Sequence, residues 1–165
     1  HAEGFEDERG VFRRNYCKEE FNNCGIDSNV AQANISENTH KHTIRGFHYQ
    51  THPFGESKTM TVIKGRIYDI IVDLRKDSPT YLEWVSLNLS PDRRTSFHVP
   101  AGCANAFLTM EDDTLVHYYS SFPFTENAEK GIRYNDPFFK FDWPIKVPQH
   151  ISVKDNSWPD FKLDS

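Results

Sequence analysis

Arg66-Ile67-Tyr68-Asp69-Ile70-Ile71-Val72-Asp73-Leu74 alternates as a pleated strand does, with Tyr68, Ile70, Val72 and Leu74 on one face and Asp69 and Asp73 on the other. Ser78-Pro79 then breaks the run. Outward from this stretch, residues 10–16, 30–35, 43–50, 58–63, 81–89, 95–99, 105–110 and 115–120 also read as strands. Helical periodicity is confined to residues 18–24, where Gly25 is placed to stop one short helix. From about Phe122 onward, Pro123, Pro137, Pro144, Pro148 and Pro159 punctuate an irregular tail, whose Phe138, Phe139, Phe141, Trp143 and Trp158 are expected to fasten it against the body. Strands at this spacing, parted by Gly, Pro, Asp and Asn clusters, indicate an all-β sandwich or jelly roll, not a parallel sheet with crossover helices.

Composition bounds the possibilities. The 165 residues, 37% of them hydrophobic, suffice for one sizeable core and are too few for two ordinary domains, so residues 1–165 are expected to form a single domain. Aromatic residues make up 14% of the chain, which suits half-buried sheet surfaces. A formal charge of −5 argues against nucleic acid or an anionic membrane as partner, so any phosphate must be held locally. Cys17, Cys24 and Cys103 are odd in number and lack CxxC spacing, which disfavours a disulfide framework or a zinc site and fits the reducing cytoplasm. No apolar run approaches the roughly 18 residues of a membrane span, and no apolar signal-peptide core opens the chain.

The chemistry concentrates in Arg45-Gly46-Phe47-His48-Tyr49-Gln50, which sets a titratable imidazole three residues from a permanent cation. That combination suggests an enzyme that grips an anionic substrate and moves protons. Strand alternation places His48 with Ile44 and Gln50 toward the interior, and Arg45 has the opposite parity, so the two meet only if Gly46 permits a bulge or the strand lies at a rim. Taken singly, each candidate has an ordinary alternative: His48 as a satisfied core histidine, Lys58 as an edge-strand lysine, Tyr118 as a core aromatic and Asp155 as a turn starter. His40 and His42 form a His-x-His pair that invites a metal reading. Thr43-Ile44-Arg45-Gly46 follows it, placing a cation where a carboxylate ligand is needed, so no metal is expected and both histidines read as solvated loop residues.

The chain resembles the dTDP-4-dehydrorhamnose 3,5-epimerase family through a collinear set of stretches. These are Asp7-Glu8-Arg9-Gly10-Val11-Phe12, Arg45-Gly46-Phe47-His48-Tyr49-Gln50, Val72-Asp73-Leu74-Arg75 with Ser78-Pro79-Thr80, Val99-Pro100-Ala101-Gly102, Gly131-Ile132-Arg133-Tyr134-Asn135-Asp136-Pro137, Trp143-Pro144 and Ser152-Val153-Lys154-Asp155. The resemblance implies a cofactor-free jelly roll of the cupin type, a homodimer, acting on a nucleotide-diphosphate 4-keto-6-deoxy sugar at carbon 3, carbon 5 or both. It implies His48 as catalytic base, Asp155 as its orienting carboxylate, Tyr118 as general acid and Lys58 as the partner of an enolate oxygen. It further implies Arg45 near the diphosphate, Arg9 and Phe12 reaching the neighbouring subunit's nucleotide, and Gln32 and Asn34 as a nucleotide-side polar pair.

This sequence also departs from the family's pattern. Ala104-Asn105-Ala106-Phe107 stands where the family often has Ala-His-Gly-Phe, so an amide that cannot exchange a proton near pH 7 faces the substrate. Tyr119 replaces a common lysine, and Arg14 stands where an acid often sits. The alternatives are a mono-epimerase on a CDP- or GDP-linked 4-keto sugar, a catalytically silent sugar-nucleotide-binding jelly roll, and a metal-dependent cupin.

Overall fold

A computed structural model describes residues 3–163. Its strands are β1 (Gly4–Asp7), β2 (Gly10–Arg13), β3 (Gln32–Asn38), β4 (Ile44–Gln50), β5 (Lys58–Lys64), β6 (Ile67–Asp73), β7 (Trp84–Leu89), β8 (Ser96–Val99), β9 (Cys103–Thr109), β10 (Thr114–Ser120) and β11 (Glu129–Gly131). A four-stranded sheet in the order β3-β10-β5-β8 faces a five-stranded one in the order β11-β4-β9-β6-β7, while β1 and β2 pair only with each other. The pairings between these strands are antiparallel, and the architecture is that of the cupin-type jelly roll.

The 66–74 alternation holds, and the acid-bearing face proves to be the inner one. Ile67 packs between the sheets with Met60, Val62, Leu89, Phe97, Val99, Phe107 and Val116. Asp69, on the same face of β6, has no exposed surface. Tyr68, Ile70, Val72 and Leu74 face outward, where Ile132, Phe139, Phe141, Trp143 and Phe161 of the later chain cover them. The central strands β6 and β9 of the five-stranded sheet are thus covered on both sides, which explains why they carry more apolar residues than a half-solvated sheet requires.

Helix α1 (Lys18–Asn23) ends as its glycine implied: Gly25 adopts φ +69° and donates to Asn22 O at 3.0 Å, closing the last turn. The expectation of one helix is corrected by α2 (Val153–Asn156), where the Ser152 side chain accepts from Asp155 N at 3.0 Å. Ser152-Val153-Lys154-Asp155 has the spacing of a cap with an acid at the third helical position, a legible signal at four residues' length. Asp73 gives the Val72–Arg75 stretch a structural role. Its carboxylate accepts from Arg75 N and Nε at 2.9 Å each and from Thr80 Oγ1 at 2.7 Å, fixing the connection to β7. The Arg75 guanidinium in particular holds that carboxyl well below the usual range.

The decisive local feature lies in β4. Register with β9 pairs Ile44 with Leu108, Arg45 with Phe107 and His48 with Asn105, so Gly46 and Phe47 form a bulge. The face assignment of Ile44 is therefore corrected: Ile44 packs outward with Leu108 and Tyr134, while the extra residue turns Arg45 and His48 to the inner side together. Gly46 has φ +106°, and a Cβ there would sit 2.5 Å from Asn105 O and 2.9 Å from Ala106 Cα. Only glycine fits. Gly46→Ala is expected to destabilise the fold by about 2 to 4 kcal/mol, read as a lowered midpoint in urea unfolding with the slope unchanged.

Candidate active site

A cleft of about 760 Å³ opens between the two sheets and is lined by Arg45, His48, Lys58, Asn105, Tyr118 and Asp155, among others. An adjoining recess of about 310 Å³ shares His48, Lys58 and Tyr118 and adds Gln32, Asn34, Gln50, Glu56 and Phe124. The structure therefore brings together eight of the ten residues singled out from the sequence. The other two, Arg9 and Phe12, lie on the β1–β2 hairpin. There Arg9 pairs with Asp7 in its own strand pair, and Phe12 is 73% exposed.

His48 Nε2 lies 2.7 Å from Asp155 Oδ1, and the carboxylate's Oδ2 accepts from Gly46 N at 3.1 Å. A carboxylate against Nε2 selects the tautomer that carries its proton there, leaving Nδ1 with the lone pair. Burial works to raise the Asp155 carboxyl. The bond and charge of His48, the N–H of Gly46 and the Ser152 hydroxyl outweigh it, so the group is held below its ordinary range. Asp155 reaches the site because the chain after β11 returns beside β4, with Ile44 N donating to His150 O at 2.9 Å and α2 starting directly after.

Tyr118 stands on β10 and Lys58 on β5, in the sheet opposite His48. Burial first, and the charge of Glu56 second, raise the Tyr118 phenol, with Arg45 opposing. At neutral pH it is a protonated donor. The His48 imidazole and the Tyr118 phenol therefore approach the cleft from its two walls. Lys58 Nζ lies 3.1 Å from Glu56 Oε1, and both side chains are mostly covered. Arg45 sits at the rim, its Nε donating to Asn38 Oδ1 at 2.6 Å.

Three further charged groups escaped the sequence reading. Glu56 lies two residues before Lys58, and their ion pair brings both to the recess. Lys154 pairs with Glu129 at the junction of the two hollows, a contact between distant segments that no local pattern announces. Asp69, behind Asn105, was visible as an acid in an apolar run, with nothing to say that its face was the inner one. His40 is exposed and stacks on His150 with ring centroids 4.6 Å apart. Among the described residues, no three His, Cys, Asp or Glu side chains group as metal ligands.

The dTDP-4-dehydrorhamnose 3,5-epimerase family matches residues 1–163. A dTDP-4-dehydrorhamnose 3,5-epimerase of Sinorhizobium fredii is 34% identical over 155 residues, spanning 94% of this chain and 80% of its own. The crystal structure of the dTDP-4-dehydrorhamnose 3,5-epimerase of Bacillus anthracis, with TDP and PPi bound, has 36% identity and a TM-score of 0.93, over 97% of this chain and 91% of that one. A 3'-monoepimerase of Streptomyces bikiniensis, in complex with dTDP-quinovose, has 29% identity and a TM-score of 0.88, over 96% of this chain and 80% of its own.

The dyad carries a pH signature independent of substrate. Because the folded state holds the Asp155 carboxyl below its unfolded value, its stabilisation is present above the ordinary carboxylate range and is lost as pH falls through the folded value. Asp155→Asn is expected to cost about 1 to 3 kcal/mol near neutrality. In thermal unfolding across the acid range, the gap between the two proteins should close as pH falls.

Proposed function

The chain belongs to the dTDP-4-dehydrorhamnose 3,5-epimerase family, and on that premise we propose how its residues divide the work of epimerising a nucleotide-linked 4-keto-6-deoxy sugar in deoxysugar biosynthesis. The observation that carries the assignment is the His48–Asp155 pair facing Tyr118 across the cleft. A ketone acidifies the protons on both neighbouring carbons. His48 Nδ1 removes one, and Asp155 stabilises the imidazolium that results. The enolate oxygen is met by the Lys58 ammonium, a charge placed where charge develops. Tyr118 returns a proton from the opposite wall, which inverts the carbon. Arg45 at the rim faces the diphosphate, with Gln32 and Asn34 on the nucleotide side.

We assign carbon 3 as the first site of inversion, since it is the position shared by the double epimerases and the 3'-monoepimerase that the chain resembles. Asn105, an amide where an imidazole is common, favours slow or absent inversion at carbon 5. The working unit is one jelly-roll domain over residues 1–165, paired as a homodimer. The β1–β2 hairpin supports this pairing: it adds to neither sheet, and it exposes 76% of Phe5 and 73% of Phe12, so a partner would cover it while Arg9 reached the neighbouring nucleotide. Three free cysteines suit a reducing cytoplasm. Among the described residues, no helix is long and apolar enough to cross a membrane.

In heavy water, dTDP-4-dehydro-6-deoxyglucose should gain deuterium at carbon 3, with carbon 5 labelled more slowly, and chelator should change neither rate. His48→Asn should lower exchange at least about 100-fold while dTDP binding survives, and near-normal exchange would place the base elsewhere. Arg9→Ala should weaken nucleotide binding by about tenfold or more. Mixing Arg9→Ala with His48→Asn should recover part of the activity in heterodimers, an outcome that a monomer would not produce.

A further inference from the structure

Asp69 stands on β6 with no exposed surface, and its Oδ1 has no hydrogen-bond partner. Its Oδ2 accepts from Asn105 Nδ2 at 3.0 Å, and that same nitrogen lies 3.3 Å from Met60 Sδ. The amide nitrogen of Asn105 is thus engaged on the core side. Reversing the amide would set its oxygen against a thioether sulfur and a carboxyl oxygen, giving up both donated contacts. An amide held this way presents its carbonyl oxygen on the other side, and Asn105 lines the cleft with His48, Lys58 and Tyr118.

The state of Asp69 fits that task. Burial pushes its carboxyl well above the ordinary range, and the bond from Asn105 and the charge of Lys58 offset only part of the effect. Whether or not it carries a proton, the carboxyl has an oxygen able to accept the Asn105 bond, so the hold on the amide stands on the geometry. What faces the sugar is then a fixed, uncharged acceptor with no proton to give. A ring hydroxyl beside the reacting carbons satisfies such an acceptor, and the ketone, itself an acceptor, does not.

We propose that Asn105 is a specificity-determining acceptor for a ring hydroxyl of the sugar, and that Asp69 is the positioning residue that keeps its carbonyl oxygen turned to the cleft. The inference rests on the epimerase reading above and adds the hydroxyl contact and the residue behind it.

The experiment compares wild-type protein with Asp69→Leu, Asp69→Asn and Asn105→Ala, using dTDP-4-dehydro-6-deoxyglucose as substrate and dTDP as a ligand without the sugar. Asp69→Leu removes the acceptor behind the amide. It should raise KM about tenfold while changing kcat less than about threefold, the mark of lost ground-state binding. Asp69→Asn restores an acceptor oxygen of the same size, and KM should return to within about threefold of wild type. Asn105→Ala should raise KM at least as much as Asp69→Leu, which keeps the proposal testable if the leucine variant does not fold. The dissociation constant of dTDP should be alike in all folded variants. Loss of exchange by about 100-fold in Asp69→Asn with dTDP binding intact would place the carboxyl itself in the proton path and overturn the positioning role. Unchanged KM in Asn105→Ala would overturn the hydroxyl contact. Wild-type protein that binds dTDP but exchanges no proton of the substrate would overturn the epimerase reading, and this inference with it.

Discussion

One carboxylate holds the site together. Asp155 grips His48 through one oxygen and the backbone of Gly46 through the other, at 2.7 and 3.1 Å. The second bond matters as much as the first, because the bulge at Gly46 is what lets Arg45 and His48 share a face. Imidazole orientation, tautomer and strand geometry are therefore set by one side chain. Satisfying both of its oxygens also makes a buried anion tolerable.

The two walls of the cleft contribute different chemistry. The five-stranded sheet, covered outside by aromatic chain, provides His48 and Asn105 from closely packed backbone. The four-stranded sheet provides Lys58 and Tyr118, with Glu56 near both. Reaction on two faces of one carbon needs groups that cannot meet each other except through substrate. Opposing sheets meet that need more simply than neighbouring strands would.

Much of this was legible in the residues. Alternation located the strands, Gly25 stopped α1, and the parity conflict between Arg45 and His48 left a bulge at Gly46 or a strand at a rim, of which the structure has the bulge. Periodicity could not tell which face of residues 66–74 was inner, because both faces of β6 are covered and a strand of period two has no third reference. Ile44 was placed on the wrong face for a related reason, since inserting one residue inverts everything before it. Pairings across long sequence separation, such as Lys154 with Glu129, leave no trace in local composition. The two hairpin residues were recognisable by motif alone, and within one chain they stand apart from the cleft.

The separation of His48 from Asp155, 107 residues along the chain, has a consequence for how the protein comes into being. A ribosome delivers every strand of both sheets before it delivers the carboxylate. It also delivers the apolar outer face of β6 and β9 before Phe139, Phe141 and Trp143, which cover that face. The nascent barrel is thus sticky on its outside and chemically incomplete within at the same moment, and the same late segment ends both conditions. Quality control that senses exposed apolar surface would, in this chain, also be sensing whether His48 has met Asp155.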